Sequence, residues 1–281
     1  MLKQRLITAA ILIPLVIWGI LALPTAYLAI VLALLIAQGG WEWAGFMQLK
    51  SVLGMAAYIA VVVVCIIGAW WLFGRSGTDW LMIPVLSLFW WLTAIVWVLT
   101  YPATVSRWAA LWRQGLIGLL VLVPAWLAVV ALHGIGNNGP YLLLYLLSLI
   151  WVADSGAYFG GRRWGKRKLA PEVSPGKTWE GAISASLATM IYALVASYLF
   201  HLPGNQILVF VVLSMITVVF SIFGDLTESM FKRHAGIKDS GHLLPGHGGV
   251  LDRIDSITAA APVFVLGLWL GGFQFSGMSA S

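Results

Sequence analysis

Two stretches of this chain, LITAAILIPLVIWGILAL at 6–23 and MAAYIAVVVVCIIGAWWLF at 55–73, contain no charged side chain. A helix rising 1.5 Å per residue crosses the roughly 30 Å hydrocarbon core of a bilayer in about 20 residues. One such run would fit a buried helix of a large soluble core equally well. A series does not, and apolar segments recur at 6–22, 25–47, 53–73, 79–99, 115–132, 141–159, 179–200, 206–224 and 256–273, joined by short polar connections. Composition agrees, with 61% hydrophobic and 9% charged residues, where a soluble domain has about 45–50% and about 25%. The sequence therefore predicts an all-α fold, a polytopic transmembrane bundle of about nine helices. Residues 1–140 supply the N-terminal transmembrane helices and 141–281 the transmembrane region that carries the polar chemistry, together one continuous membrane domain.

Lys3 and Arg5 ahead of the first apolar run have the outline of a cleavable signal. A first transmembrane helix is the simpler reading, because the later runs need a membrane anyway. With the N-terminus cytoplasmic and nine crossings, every Lys and Arg except Arg75 falls on the inner side. That is the pattern the positive-inside rule describes, and it places the chain in the cell inner membrane. The net charge of +6 then follows from topology and anionic headgroups, and no nucleic-acid partner is called for. Trp41 and Trp43, at the end of the second run, suit an interfacial position. Cys65, the single cysteine, forms no intrachain disulfide and packs as a small apolar residue.

The acids are distributed less evenly. Eight of the ten lie between Asp154 and Asp255, at the inner ends of the helices flanking two inner loops. Carboxylates near a bilayer are costly, so they are functional candidates. The first polar constellation is WVADSGAYFGGRRWGKRKLAPEVSPGKTWEGA, 151–182. Asp154 ends an apolar helix, Gly160, Gly161 and Gly165 break it, and a basic loop runs from Arg162 to Lys168. SPGKTWEG opens the next helix, where Ser174 or the Pro-Gly turn offers backbone N–H groups to an anion and Lys177 adds a point charge. The PGKT tetrapeptide resembles the end of a P-loop, but the first glycine is absent and Pro171 stands in its place. An ordinary basic inner loop is the plain alternative.

The second constellation is FGDLTESMFKRHAGIKDSGHLLPGHGGVLDRIDS, 223–256. Asp225 and Glu228 share a helical face with Lys232 one turn on, and Asp252 and Asp255 repeat the spacing at the start of the last helix. Between them, five glycines give a backbone able to wrap round a ligand. Carboxylates from two helices suit a hard cation such as Mg2+, which takes oxygen ligands from one or two carboxylates and fills the rest with water and substrate phosphates. Asp225, Asp252, Glu228 and Glu180 are the metal candidates. Lys232, Arg233, Lys238 and Arg253 meet phosphates, with Ser174, Lys177, His247, Gly248 and Gly249. Interhelical salt bridges are the plain alternative, Asp239 and Asp255 being its best cases. His242 and His247 lack the spacing and cysteine partners of a zinc site, and no role attaches to His242.

Clustered acids and bases at membrane level suit a polyphosphate–Mg2+ substrate from the cytosol and an acceptor embedded in lipid. The run Ser229-Met-Phe-Lys232-Arg233, then Lys238-Asp239, then LLPGHGGVLDRID resembles the signature of the CDP-diacylglycerol synthases, the phosphatidate cytidylyltransferase family. DSGAYFGGR at Asp154 and KLAPEVSPGKTWEG at Lys168 are similar to it too. After WEG the family often carries a glycine pair where this chain has Ser184-Ala185, a difference that bears on helix packing. The resemblance implies conversion of CTP and phosphatidic acid to CDP-diacylglycerol and pyrophosphate. It also implies dependence on Mg2+ with a monovalent cation such as K+ as second metal, a homodimer among membrane lipids, and Asp225 and Asp252 as metal-centre aspartates. Asp225, Asp252, Lys232 and Arg253 are then the catalytic candidates. The rival reading, a transporter or channel with an inner-face acidic site, predicts polar residues at mid-membrane and an internal repeat. Neither is visible.

Overall fold

The computed structural model describes residues 2–75, 78–241, 243 and 248–273. Ten α-helices follow one another: α1 Leu2–Ala22, α2 Thr25–Phe46, α3 Val52–Phe73, α4 Met82–Leu99, the single turn α5 Val105–Trp108, α6 Leu111–His133, α7 Gly139–Trp164, α8 Trp179–Leu199, α9 Gly204–Ala235 and α10 Leu251–Leu270. A two-stranded hairpin, β1 Lys168–Ala170 antiparallel to β2 Ser174–Thr178, stands between α7 and α8. Among the described residues eight helices are long and apolar enough to cross a membrane, and α1 adds a shorter apolar stretch, Ala10–Ala22. This is a multi-pass membrane protein.

Local chemistry sets several boundaries. Ser51 caps α3 by accepting from Gly54 N–H at 3.0 Å, and Thr178 caps α8 by accepting from Gly181 N–H at 3.1 Å. Gly236, at φ 72°, ends α9 in a left-handed turn with Gly236 N–H on Arg233 O and Ile237 N–H on Lys232 O. One expectation is corrected here. Gly160 and Gly161 do not break α7, which continues to Trp164. They let α8 approach instead: a Cβ on Gly160 would meet the side chain of Ser184, and one on Gly161 would sit 3.2 Å from Thr178 Oγ1. The helix that carries the apolar run 206–224 continues past it, as the spacing of Asp225, Glu228 and Lys232 predicts, and the 32 residues of α9 span about 48 Å at 1.5 Å each.

The central helix is α6, buried at almost every position from Gln114 to His133. A helix apolar on all sides belongs inside a bundle, and α2, α3, α4, α7 and α10 pack around it. Their outer faces carry exposed Leu, Val, Ile, Phe and Trp, as a lipid-facing surface should. Trp43 is not interfacial but a 2% exposed core residue. Its Nε1 donates to Gln114 O at 2.9 Å, and its ring lies 4.9 Å from that of Phe231. Phe231 also meets Trp108 at 4.8 Å, so the ends of α2 and α9 and the turn α5 share one aromatic cluster. At the opposite end His133 ties α6 to Ile20 O at 2.8 Å and Thr25 Oγ1 at 2.9 Å.

Candidate active site

Gly224 decides how α9 and α10 cross. A Cβ there would stand 2.6 Å from Asp255 O and 3.1 Å from Ala259 Cβ, so only glycine lets the two backbones come this close. Directly beyond the crossing, Asp225, Glu228 and Lys232 follow at helical spacing on α9, and Asp252 and Asp255 on the first turns of α10. Lys232 Nζ lies 2.9 Å from Glu228 Oε2 and 2.6 Å from Asp252 Oδ1, a buried ammonium shared by two helices. Asp225 Oδ2 lies 2.7 Å from Lys177 Nζ on β2, while its Oδ1 accepts from Ser229 Oγ at 3.2 Å. Ion pairs of the kind the plain alternative names are present, and the pairing of Asp252 with a lysine is one it foresaw. Asp225, Glu228 and Asp252 are ion-paired, whereas Asp239 and Asp255 have no ion pair among the described residues. Asp255 accepts from Ser256 N–H at 2.6 Å and lines a small cavity with Glu228, Thr227, Thr258 and Trp43. Glu228 Oε1, buried there, accepts from no N–H or hydroxyl group among the described residues and has the carboxyl group of Asp255 as its neighbour.

Asp252 is the most constrained carboxylate. Its Oδ2 accepts from Ser240 N–H at 2.9 Å, Ser240 Oγ at 3.0 Å and Gly249 N–H at 2.8 Å. Beside it stands a residue that sequence reasoning passed over. Glu42 of α2, 4% exposed, accepts from Val250 N–H at 2.9 Å and Leu251 N–H at 2.8 Å. Those groups are among the open donors at the start of α10, which has no side-chain cap of its own. Gly248, at φ 81°, and Gly249 have a tighter task than cradling phosphate: a Cβ on Gly248 would meet Asp252 Oδ2, and one on Gly249 would meet Ser240 Oγ and Glu42 Oε2. His242 and His247 lie outside the described residues.

Across α9 stands the hairpin. Ser174–Thr178 is its second strand rather than the first turn of α8, so the anion-binding helix start expected at SPGKT is absent and Ser174 lies in strand. The strand carries Lys177 to Asp225 and to Ile222 O at 3.3 Å. Between α7, β2, α8 and α9 opens a cavity of about 450 Å3, lined by Asp154, Tyr158, Arg162, Lys177 and Ile222 among others. Glu180 does not turn toward the other acids: it accepts from Lys166 N–H at 3.0 Å and Arg167 N–H at 3.1 Å, tying the basic loop to α8. Arg233 Nε donates to Val173 O at 3.3 Å and so braces the hairpin turn. Lys238 and Arg253 are exposed beside the site. Among the described residues no group of three or more His, Cys, Asp or Glu side chains forms a cage for a metal.

Comparison with known proteins gives this arrangement a family. The chain matches the model of the cytidylyltransferase family over residues 3–270. It is 45% identical over 276 residues to a phosphatidate cytidylyltransferase of Pseudomonas aeruginosa, covering 97% of this chain and 99% of that protein. A phosphatidate cytidylyltransferase of Haemophilus influenzae is 41% identical over 292 residues, 94% of this chain and 97% of that protein. One from Bacillus subtilis is 37% identical over 188 residues, 63% of this chain and 67% of that protein. Matched almost from end to end, the chain belongs to the cytidylyltransferase family.

Proposed function

We propose that this membrane protein transfers the cytidylyl group of CTP to phosphatidic acid, giving CDP-diacylglycerol and pyrophosphate. The near-full-length likeness to phosphatidate cytidylyltransferases carries this reading, and the chemistry of the site is in keeping with it. A transporter finds no support among the relatives. The attacking group is the phosphate of the lipid, a monoester with second pKa of about 6 and therefore largely dianionic at neutral pH. One of its oxygens forms the new bond to the α-phosphorus of CTP. The bond from that phosphorus to the bridging oxygen breaks, and pyrophosphate leaves with the electron pair. No proton has to be removed from the nucleophile, so a general base is unnecessary.

The lipid phosphate enters the cavity between α7 and α8, where Arg162 and Lys177 meet it. Tyr158, Phe159, Trp179 and Ile183 give the neighbouring outer faces an apolar surface for acyl chains. Lys177 turns from Asp225 to offset the repulsion between the two anions, and Lys232 does the same from Glu228 and Asp252. Arg253 and Lys238 stand at the exposed rim for the nucleotide phosphates.

The acids fit Mg2+ by their chemistry. Asp225, Glu228, Asp252 and Asp255 set four carboxyl groups against the ammonium groups of Lys177 and Lys232, and the carboxyls of Glu228 and Asp255 face each other. Oxygen donors with substrate phosphates and water are what this ion prefers, one or two carboxylates being enough. No three of the acids stand together as a cage among the described residues, so Asp225 or Asp252 would hold it with phosphate and water oxygens. K+ as a second ion and a homodimer rest on the resemblance alone. The chemistry Mg2+ would supply there, when bound, is to offset the charge of the triphosphate and of the leaving pyrophosphate. Glu180 orders the loop instead.

The inner membrane, with the site on the cytoplasmic side, is the location that the basic residues favour. Purified protein given labelled CTP, phosphatidic acid and Mg2+ is expected to form labelled CDP-lipid and pyrophosphate. Formation of neither, with solute transport in liposomes instead, overturns the reading.

A further inference from the structure

A buried carboxylate with no basic side chain against it needs a reason, and Glu42 has none inside α2. Within α2 it accepts from Gln38, and each of its oxygens also accepts from donors outside that helix. Oε1 accepts from Val250 N–H at 2.9 Å and from Gln38 Nε2 at 3.2 Å, and Oε2 from Leu251 N–H at 2.8 Å and Ser240 Oγ at 2.9 Å. Val250 and Leu251 immediately precede Asp252, and Ser240 binds Asp252 Oδ2 through its backbone N–H. The single hydroxyl proton of Ser240 faces both carboxylates, so the two are linked through one side chain. Gly241 and Gly249 press their Cα atoms against the same carboxyl group: a Cβ on Gly241 would lie 2.9 Å from Glu42 Oε1, and one on Gly249 would collide with Oε2. Four features of the loop (a serine, two glycines and the open N–H groups of α10) are thus built around this acid. A carboxylate is the right group to face them, because the start of a helix carries partial positive charge.

From this geometry we infer that Glu42 is a positioning residue for cytidylyl transfer, a clamp from α2 that fixes the backbone on which Asp252 is carried and, through Asp252, the direction of Lys232. This rests on the reading of the site given above. Glu42 touches neither reacting group. Its effect is on alignment, and displacement of a catalytic group by about 1 Å can cost about 100-fold in rate.

Three variants test it: Glu42→Gln, Ser240→Ala and the pair combined, purified in detergent and assayed for CDP-lipid formation per folded molecule. In Glu42→Gln the new amide N–H2 faces a backbone N–H, so one clamp bond is lost at unchanged side-chain volume. The expected result is kcat about 10–100-fold lower, with KM for phosphatidate within about threefold of wild type. Ser240→Ala is expected to fall in the same direction, and the double variant to lie within about twofold of Glu42→Gln alone, because both act through one clamp. Unchanged kcat in both single variants overturns the inference. So does a double variant whose loss is the product of the two, or an activity loss that only tracks the folded fraction. Should Glu42→Gln fail to fold, Ser240→Ala decides by itself: retained melting temperature with lowered kcat supports the clamp, and unaltered kcat overturns it. A wild-type protein that makes no CDP-lipid overturns the proposed function itself, a result distinct from all of these.

Discussion

Replacing Lys232 with methionine leaves Glu228 and Asp252 without the cation they share. The lysine side chain is 11% exposed, and those of its partners are 5% and 7% exposed, so water does little to screen what remains. Removing one partner of a buried ion pair costs about 3–5 kcal/mol, because an uncompensated charge stays behind. Asp252 retains its bonds from Ser240 and Gly249, so the loss falls mainly on Glu228, whose other neighbour is the carboxyl of Asp255 rather than a cation. The lower end, about 3 kcal/mol, is therefore expected. Glu228→Gln is the informative contrast. It removes one of the surplus negative charges and leaves the Lys232–Asp252 pair intact, so its cost should stay within about 1 kcal/mol. Melting in detergent, followed by tryptophan fluorescence, separates the two: a drop of roughly 6–12 °C for Lys232→Met and little change for Glu228→Gln. Equal losses, or a larger one for Glu228→Gln, would refute the argument that the lysine compensates both acids.

Gly224→Ala places a Cβ 2.6 Å from Asp255 O. Forcing α9 from α10 should cost about 1–3 kcal/mol in melting experiments and depress CDP-lipid formation further than the stability loss explains. Gly160→Leu, aimed at the Ser184 contact between α7 and α8, should destabilise by a similar amount, roughly 1–3 kcal/mol. Gly68→Ala on α3, where a Cβ meets nothing within 4 Å, should raise the melting temperature slightly, because alanine is favoured over glycine inside a helix by about 0.5–1 kcal/mol. Asp225→Asn keeps the size of the side chain but removes the charge facing Lys177. Turnover should fall by about 100-fold or more with unchanged helical content by circular dichroism, and full activity would remove Asp225 from the site.

The spans were readable because hydrocarbon thickness dictates both their length and their composition. α9 was readable beyond its apolar run too, because Asp225, Glu228 and Lys232 stand at helical spacing, and the helix runs on to Ala235. Glu228 and Lys232 are partners one turn apart, and the face they share is covered by α10, so charge here is internal to the bundle. The two loops were found from their acids and glycines, but the pairing of individual acids was legible only in part. Asp255 was read as the structural member and Asp225 and Asp252 as the metal ligands, whereas lysines from β2 and α9 reach the latter two. Partners so far apart in sequence leave no local spacing signal. Glu42 was hidden differently, inside the aromatic stretch GGWEWAG that resembles a membrane interface. An acid within an otherwise apolar helix is itself a signal, and applied there the rule would have found it.

The length of α9 has one more consequence. Lys177 meets it at Asp225 and Asp252 meets it at Lys232, positions seven residues and so roughly 10 Å apart along the axis. About 33 Å of helix, more than the thickness of the hydrocarbon layer, precedes the first of them. The rod therefore works as a ruler. On the reading proposed for this site, the first ion pair would serve the lipid phosphate and the second, roughly 10 Å further along the helix, the nucleotide. Two substrates with opposite solubilities can meet along it without either leaving its own phase.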